Sequence, residues 1–372
     1  MRFASPDLSP FPTVVLAGAG NIGSYTIDVL GRIKGLKRVL IIDPDDYSLT
    51  NLASQRITTR DVGKAKAKVQ AKRLREINPD LEVIPIVEPI ANAPRGLLRN
   101  SIVLTALDSA AARRDACEAA WRVGAPVIDG GVEPEMGLGR LSVYLPKPDA
   151  ACFECGLDET DYQNMPAKHV CGAGDEDEMP TNGSPSLGAL VGSLLVIELE
   201  KLLAGQLEGS LAGRQLVVDV THHKQFLTRL DRNVNCRFDH ARRDIRALTG
   251  VTERSTLGDA LEAARTALGS SGKISLGVDG RPFAKALHCP SCGIAKELLA
   301  LPERLPFKAR SCALCAGREM LAIGFKQLDR VSAADVPPRA LRRSLRSLGV
   351  REGDVLVAFS AEQQSYFEVP HA

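Results

Sequence analysis

The first half of the chain alternates short β-branched runs with stretches of helical spacing. The apolar runs predict five strands, at Thr13–Ala17, Arg38–Ile42, Leu81–Val87, Ser101–Ala106 and Pro126–Asp129. The segments between them predict three helices, at Gly23–Lys34, Gly63–Ile77 and Ala110–Val123. This alternation is typical of a doubly wound, Rossmann-like α/β domain, in which ligands bind at the carboxyl ends of the parallel strands.

The pattern continues beyond this half and then changes. Further strands are predicted at Gly139–Leu145, Arg214–Thr221 and Lys224–Arg229, with a long buried helix at Ser186–Ala204. A polar stretch over residues 156–184 predicts a mobile crossover loop. From about Arg242 the chain changes to a helix at Leu257–Leu268, a cysteine-rich module over 288–316 and a terminal segment. We therefore expect two domains, 1–240 and 241–372.

Composition and charge exclude several classes of protein. The 372 residues are 44% hydrophobic and 25% charged, with a net charge of +2, so no strong field favours nucleic acid or an anionic membrane. The most apolar run, Leu187–Ile197, is too short to span a bilayer. The N-terminal residues lack the layout of an export signal. We expect a soluble, cytoplasmic protein that binds neither nucleic acid nor membrane.

A glycine-rich turn follows the first predicted strand. Gly18, Gly20 and Gly23 allow a tight turn that opens a helix, with Asn21 inside it, and anionic oxygens bind well at such a helix start. Asp43 ends the second strand, where a carboxylate can accept from ribose hydroxyls. These residues predict a nucleotide site but do not distinguish NAD from ATP.

Four later residues favour ATP. Lys66 could bring an ammonium to the phosphates, and Arg56 could bind them bidentately. Asp108, at a strand end, is placed to hold Mg²⁺, and Asn51 adds an amide to the same edge. Nucleotidyl transfer needs its phosphate charge neutralised, so this set suits a triphosphate with Mg²⁺ better than a nicotinamide.

These residues also carry a family resemblance. The matching segments are Asp43 through Gln55-Arg56, Gly63-Lys-Ala-Lys66, Ile77-Asn-Pro-Asp80, Asp108-Ser-Ala-Ala-Ala-Arg113 and Ser186-Leu-Gly-Ala-Leu-Val-Gly. Over residues 13–240 the chain resembles the ThiF/MoeB family, which includes the ubiquitin-like-protein-activating enzymes. The resemblance implies adenylation of the C-terminal glycine of a ubiquitin-like or sulfur-carrier protein. It also implies a homodimer.

The resemblance assigns roles to single residues. It implies that Asp43 binds ribose, that Asn51 and Lys66 bind the phosphates, and that Asp108 holds Mg²⁺. The family usually has an arginine where this chain has Ser54.

An arginine must then come from elsewhere. Arg56 could substitute for the one missing at position 54. The family also takes an arginine from an upstream segment of the partner subunit, and only twelve residues precede the first strand here. Three alternatives remain for this upstream arginine. Arg60 or Arg113 replaces it, or the chain needs a partner that supplies it, or catalysis is weak without it. We expect Arg113 to contact the cofactor.

Six of the nine cysteines form Cys-x2-Cys pairs, which favour metal binding in a chain without an export signal. Cys289 and Cys292, nineteen residues before the pair Cys312 and Cys315, predict a closed zinc ribbon with four cysteine ligands. A closed site leaves no position for substrate, so this zinc is expected to be structural.

A second structural zinc site is predicted around Cys152 and Cys155. The family usually closes this half-site with a second cysteine pair after the last core strand. Here Cys236 and His240 are the candidates, and histidine is an acceptable zinc ligand in place of cysteine. The alternative is a buried Cys236 and a surface His240.

Two cysteines remain. Cys117 lies on a predicted helix and is expected to pack in the core. Cys171 lies in the crossover loop, where some single-chain activating enzymes carry their thioester cysteine, so we expect it to be the nucleophile. Lys168 and His169 would lower its pKa and the acidic run 175–178 would raise it. An incidental loop cysteine is the alternative.

The leading hypothesis is an ATP-dependent activating enzyme that can pass its carrier to Cys171 and then to a conjugating-enzyme-like acceptor. Three alternatives stay open. The first is adenylation of another substrate, such as a peptide or a modified tRNA. The second is an NAD-dependent oxidoreductase, which leaves Asn51, Lys66 and Asp108 unexplained. The third is an inactive scaffold that binds nucleotide and a partner.

Overall fold

An eight-stranded sheet forms the centre of the first of two structural units. The computed structural model describes residues 13–165 and 183–370. The strands run in the order β3-β2-β1-β4-β5-β6-β7-β8. Their bounds are β1 Thr13–Ala17, β2 Arg38–Ile42, β3 Glu82–Ile86, β4 Ser101–Thr105, β5 Val127–Glu133, β6 Leu138–Tyr144, β7 Arg214–Asp219 and β8 Lys224–Arg229. The first five pair in parallel and the last three antiparallel.

Five helices connect these strands. They are α1 Asn21–Leu30, α2 Lys66–Ile77, α3 Ala110–Val123, α4 Glu159–Asn164 and α5 Pro185–Leu203. The predicted doubly wound α/β architecture is confirmed. The short helix α4 was not predicted, because its sequence is polar throughout. The side chain of Asp158 accepts from the backbone N–H of Asp161 and caps it.

Glycines let the long apolar helix α5 pack closely on the sheet and on α1. A Cβ on Gly139 would lie 2.9 Å from a methyl of Val191, and one on Gly192 would lie 3.0 Å from Oγ1 of Thr26. All five residues of β1 are buried, which explains its continuous apolar run. The main core therefore lies between the sheet and the helices α1, α2 and α5, and the carboxyl ends of β1, β2 and β4 meet at one edge.

The second unit comprises Pro94–Leu97 and Arg243–Ala372. A five-stranded sheet runs in the order β15-β10-β16-β17-β9, and β11 pairs with β12, β13 and β14. The elements are β9 Ile245–Ala247, α6 Leu257–Leu268, β10 Ser275–Val278, β11 Phe283–His288, β12 Ala295–Ala300, α7 Phe307–Arg310, β13 Leu321–Ala322, β14 Gln327–Leu328, β15 Val331–Ser332, α8 Pro338–Leu341, β16 Val355–Phe359 and β17 Gln364–Glu368.

A buried ion cluster ties together three segments of this unit. Asp354 is fully buried and accepts from the guanidinium groups of Arg304, at 2.7 Å, and Arg281, at 2.5 Å. A buried carboxylate needs such partners, because removing one member of a buried pair costs about 3–5 kcal/mol. The cluster therefore fixes the start of β16 against the segments before β11 and after β12.

Within the described ranges, no helix is long and apolar enough to cross a membrane.

Candidate nucleotide site and metal centres

The glycine turn between β1 and α1 is closed by backbone contacts that only glycine permits. Gly18 has a φ of +94°, and a Cβ there would lie 2.3 Å from the carbonyl oxygen of Ala106. A Cβ on Gly23 would lie 2.0 Å from the carbonyl oxygen of Gly18. Gly20 is open, with Nε2 of Gln55 as its nearest neighbour at 3.9 Å. The turn thus joins the ends of β1 and β4 and leaves one side accessible.

Asp43 holds the turn from the end of β2. Its Oδ2 accepts from the backbone N–H of Ala19 at 2.7 Å, and its Oδ1 accepts from that of Asp45 at 2.9 Å. Burial raises the pKa of Asp43, although both backbone hydrogen bonds oppose that shift. Each carboxylate oxygen keeps a second lone pair. Asp43 can therefore anchor the turn and still accept from a hydroxyl group.

Tyr47 and Gln70 support the same turn and were missed by the sequence analysis. The hydroxyl of Tyr47 donates to the carbonyl oxygen of Ala19 at 2.7 Å, and Nε2 of Gln70 donates to that hydroxyl at 2.7 Å. Both side chains are buried. The sequence indicates this role only weakly. The helical period of α2 places Gln70 on the buried face of the helix, where a polar residue is unusual.

Lys66 is held at the same edge as Asp43. It is the first residue of α2, and its backbone N–H donates to the carbonyl oxygen of Asp45 at 2.8 Å. Its Nζ donates to Oδ2 of Asp45 at 3.0 Å. The ammonium lies 5.9 Å from the centre of the Tyr47 ring. Lys66 thus lies on the same side of the turn as Asp43, and its role at the phosphates stays a prediction.

Three amide side chains at or near the turn have a buried oxygen without a partner in the described part of the chain: Oδ1 of Asn21, Oε1 of Gln55 and Oε1 of Gln70. Buried polar atoms are nearly always hydrogen-bonded in native proteins, so these three are exceptions. Oδ1 of Asn21 packs against α5, since a Cβ on Gly188 would lie 1.9 Å from it. Asn51 instead accepts from the backbone N–H of Ser48 at 3.0 Å, which shapes its own segment.

Asp108 lies three residues beyond β4 and is exposed. The segment that carries it is held by Arg113, whose Nε donates to the carbonyl oxygen of Leu107 at 2.9 Å. The Arg113 guanidinium also pairs with Asp129 at 3.2 Å, and Asp129 is completely buried. The side chain of Thr105 donates to the same carboxylate at 2.6 Å. In the described structure Arg113 positions the segment that carries Asp108, and its contact with a cofactor stays a prediction.

Arg56 pairs with a carboxylate of its own chain. Its Nε donates to Oδ2 of Asp28 on α1 at 3.2 Å, and its side chain is 49% exposed. Ser54 and Gln55, the two residues before it, are buried beside the turn. The role of Arg56 at the phosphates stays a prediction.

The first predicted metal cluster is brought together as expected. Sγ of Cys152 lies 3.6 Å from Sγ of Cys236 and 3.4 Å from Nε2 of His240, and Cys155 lies 3.5 Å from the same nitrogen. The four ligand atoms lie within 4.8 Å of one another. Trp121 donates to the carbonyl oxygen of His240 at 2.9 Å and holds that segment in place. Three sulfurs and one imidazole suit Zn²⁺.

The second cluster unites the two cysteine pairs of the C-terminal unit. The ligand atoms of Cys289, Cys292, Cys312 and Cys315 lie within 4.8 Å of one another. The backbone N–H of Cys292 is the main cause that lowers the pKa of Cys289 to about 6. A thiol that ionises easily favours metal binding, since the thiolate is the ligand.

The two remaining cysteines lie outside both clusters. Cys117 is buried on α3, as predicted. Cys171 lies outside the described residues.

The first structural unit matches a known protein family over most of its length. Residues 8–238 match the model of the ThiF family. The chain belongs to the ThiF family. The match runs from before β1 into the first metal cluster, so the predicted family is confirmed.

Two ThiF-related proteins and one solved structure illustrate the similarity. The chain is 31% identical to the NEDD8-activating enzyme E1 catalytic subunit of Saccharomyces cerevisiae, over 39% of this chain and 51% of that protein. It is 26% identical to the sulfur carrier protein ThiS adenylyltransferase of Escherichia coli, over 52% of this chain and 72% of that protein. The chain thus spans about half the length of the first relative. A crystal structure of E. coli MccB with ATP is 18% identical, with a TM-score of 0.49, over 62% of this chain and 66% of that one.

We expect native mass spectrometry to find two zinc ions per chain. Cys236→Ser and Cys312→Ser should each lose one ion, because each removes one of four ligands. Both variants, and chelation of the natural protein, should lower the melting temperature, since structural zinc contributes folding free energy. Cys117→Ala is the matched control and should keep both ions. A metal count unchanged in Cys236→Ser or Cys312→Ser would contradict the assignment.

Proposed function

We propose that this chain is an ATP-dependent activating enzyme that adenylates the C-terminal glycine of a ubiquitin-like or sulfur-carrier protein. One observation supports the proposal: in a member of the ThiF family, Asp43 and Lys66 are held beside a glycine turn, and the end of β4 that leads to Asp108 packs against the same turn. The two named relatives act on small carrier proteins, which supports the choice of substrate class.

The reaction joins a carboxylate oxygen of the carrier to the α-phosphorus of ATP and releases pyrophosphate. Lys66 neutralises phosphate charge at the start of α2, and Asp43 accepts from the ribose. Asp108 is exposed at a strand end and makes no ion pair with the described residues, so it can hold Mg²⁺. When bound there, Mg²⁺ supplies further stabilisation of the developing charge.

We propose that the enzyme is a cytoplasmic homodimer. Arg113 and Arg56 both have carboxylate partners in the chain, Asp129 and Asp28. Adenylation needs more positive charge at the phosphates than Lys66 alone provides. A second copy could contribute an arginine, and the cytoplasm supplies the ATP.

Asp108→Ala is expected to reduce ATP–pyrophosphate exchange by about a hundredfold or more, because it removes the proposed Mg²⁺ ligand. The melting temperature of the ligand-free protein should stay unchanged, since Asp108 is exposed. Asp80→Ala, another exposed aspartate in the same unit, is the control and should keep full exchange. Full exchange in Asp108→Ala would show that the metal is held elsewhere.

We propose that the carrier docks on the face of the sheet opposite α5. Arg140, Val217 and Phe226 lie side by side across β6, β7 and β8. Gly131 on β5 pairs with Arg140, so the row reaches the strand that carries Asp129. Phe226 is 52% exposed, which makes it an unpartnered aromatic anchor of the kind enriched at protein interfaces.

Phe226→Asp is therefore expected to raise the KM for the carrier about thirtyfold, corresponding to a loss of about 2 kcal/mol at an aromatic anchor. The affinity for Mg²⁺-ATP should not change. Leu227→Asp is a matched control, because Leu227 is 56% exposed on the next position of β8 and faces the other side of the sheet. Equal effects of the two changes on the carrier KM would contradict docking on the Phe226 face.

We further propose a thioester step at Cys171, followed by transfer to a conjugating-enzyme-like acceptor. The Cys171 thiolate would attack the carbonyl carbon of the acyl-adenylate, so that a C–S bond forms, the C–O bond to AMP breaks and AMP leaves. The thiol proton goes to solvent. Support comes from the position of Cys171 in the crossover segment before α5 and from the family resemblance.

Cys171→Ala is expected to keep ATP–pyrophosphate exchange and to lose any carrier adduct that dithiothreitol releases. Cys117→Ala, a buried cysteine on α3, should keep both properties apart from a loss of stability. Non-reducing gel electrophoresis with mass spectrometry measures the adduct. An adduct that persists in Cys171→Ala would place the nucleophile elsewhere.

A further inference from the structure

A large groove lies on the outer surface of the first unit, away from the glycine turn. Its volume is about 1140 Å³, and α1, α2 and the segment before α2 line it. The lining includes Val29, Val69 and Ile77 as apolar residues. At the end of α1, a Cβ on Gly31 would lie 2.7 Å from a methyl of Ile77, so glycine allows the two helices to approach there. The apolar part of the groove thus lies between two rigid helices.

The charged side chains of the groove are mainly basic. Six are basic and four acidic, an excess of two positive charges: Arg32, Arg56, Lys64, Lys68, Lys72 and Arg73 against Asp28, Asp46, Asp61 and Glu76. The groove therefore carries a net charge of +2 on ten charged side chains, whereas the whole chain carries +2 on 92.

Three of the acidic groups are already engaged within the chain. Asp28 accepts from Arg73 at 2.9 and 3.1 Å and from Arg56 at 3.2 Å, so one carboxylate serves two guanidinium groups. Glu76 pairs with Lys72 at 3.8 Å.

Asp61 accepts from the backbone N–H and the hydroxyl of Thr58 at 2.9 and 2.8 Å. Desolvation alone would raise the pKa of Asp61, but these hydrogen bonds and the positive charges of Lys64 and Arg73 outweigh it and lower the pKa. Because six basic groups face four acids, a net positive charge remains in the groove.

Basic donors remain for a ligand. Lys64 and Lys68 are exposed and make no ion pair with the described part of the chain. Arg56 uses its Nε for Asp28, its side chain is 49% exposed, and its two terminal nitrogens make no hydrogen bond with the described residues. A guanidinium with two such nitrogens can bind a carboxylate bidentately. The pattern is an apolar centre with basic groups around it.

We propose that this groove is the docking site for an acidic, partly apolar segment of a partner protein, bound as a helix in the groove. Carboxylates of that segment would meet Arg56 and Lys68, and its apolar side chains would lie on Val29 and Val69. Val29 is 39% exposed. Contact of an apolar side chain with water is unfavourable, and a bound partner would remove it. The volume exceeds the range of about 300–1,000 Å³ that is usual for small-molecule sites, which favours a peptide.

The site is separate from the proposed chemistry. Neither the glycine turn nor Asp43, Lys66 or Asp108 lines the groove. Its occupation can therefore be tested with variants that leave adenylation intact, and the proposal does not depend on the identity of the carrier.

The test uses a fluorescein-labelled, acetylated and amidated peptide that alternates pairs of glutamate and leucine. A length of about 14 residues is near the point at which isolated helices become stable. Fluorescence anisotropy measures its binding to the full chain. We expect saturable binding that Lys68→Glu weakens about tenfold and Val29→Asp weakens similarly. Lys37→Glu, an exposed lysine outside the groove, should leave binding unchanged.

Two further measurements distinguish peptide binding in the groove from an effect on adenylation and from association between copies of this chain. ATP–pyrophosphate exchange should stay unchanged in Lys68→Glu, and sedimentation should show the same oligomer. Three results would overturn the proposal: no binding to the natural chain, equal weakening by Lys68→Glu and Lys37→Glu, or a changed oligomer in Lys68→Glu. The last result would make the groove an interface between copies of this chain.

Discussion

The close approach of Gly18 to the carbonyl of Ala106 is the constraint on which the nucleotide edge depends. The two backbones come so near that no side chain fits between them, and this contact joins the ends of β1 and β4. From the other side, Asp43 holds the backbone N–H of Ala19 and Tyr47 holds its carbonyl oxygen. The turn is thus fixed through its own peptide groups before any ligand binds. A preformed site of this kind avoids the entropy cost of ordering a loop on binding.

The residues around the turn divide into those that we propose to contact a ligand and those that hold the backbone in place. Asp108 is exposed and carries no structural duty of its own, whereas Arg113 is buried and holds the backbone just before it through the carbonyl of Leu107. Asp129 in turn holds Arg113 and Thr105, and so connects β5 with the end of β4. An exposed acidic side chain on a rigid backbone is what a site for Mg²⁺ requires, because the ion must be reached by the triphosphate as well.

The sequence could predict the features that depend on local pattern or on fixed spacing, but not roles that depend on distant partners. The strand β1 is a continuous apolar run because it is buried on both faces, and the cysteine pairs indicate their metal clusters through the two-residue gap. Arg56, by contrast, pairs with Asp28, twenty-eight residues earlier, and Arg113 pairs with Asp129 on another strand. Neither partner is visible in the motif that contains the arginine. A motif places a residue near a site, whereas the choice between a ligand and an internal carboxylate is made by the three-dimensional neighbourhood.

The cost of leaving an internal partner decides which cation can serve a nucleotide. Lys66 is 12% exposed and pairs with Asp45, whose carboxylate is 50% exposed, so breaking this pair leaves the carboxylate in contact with water and costs less than breaking a fully buried pair. Arg113 pairs with a completely buried Asp129, and breaking a buried pair costs about 3–5 kcal/mol. Arg140 on β6 belongs to the proposed carrier surface, and it also pairs with Asp129, at 3.3 Å. In the proposed reaction Lys66 can therefore turn to phosphate at a lower cost to the core than Arg113, which positions the segment that carries Asp108.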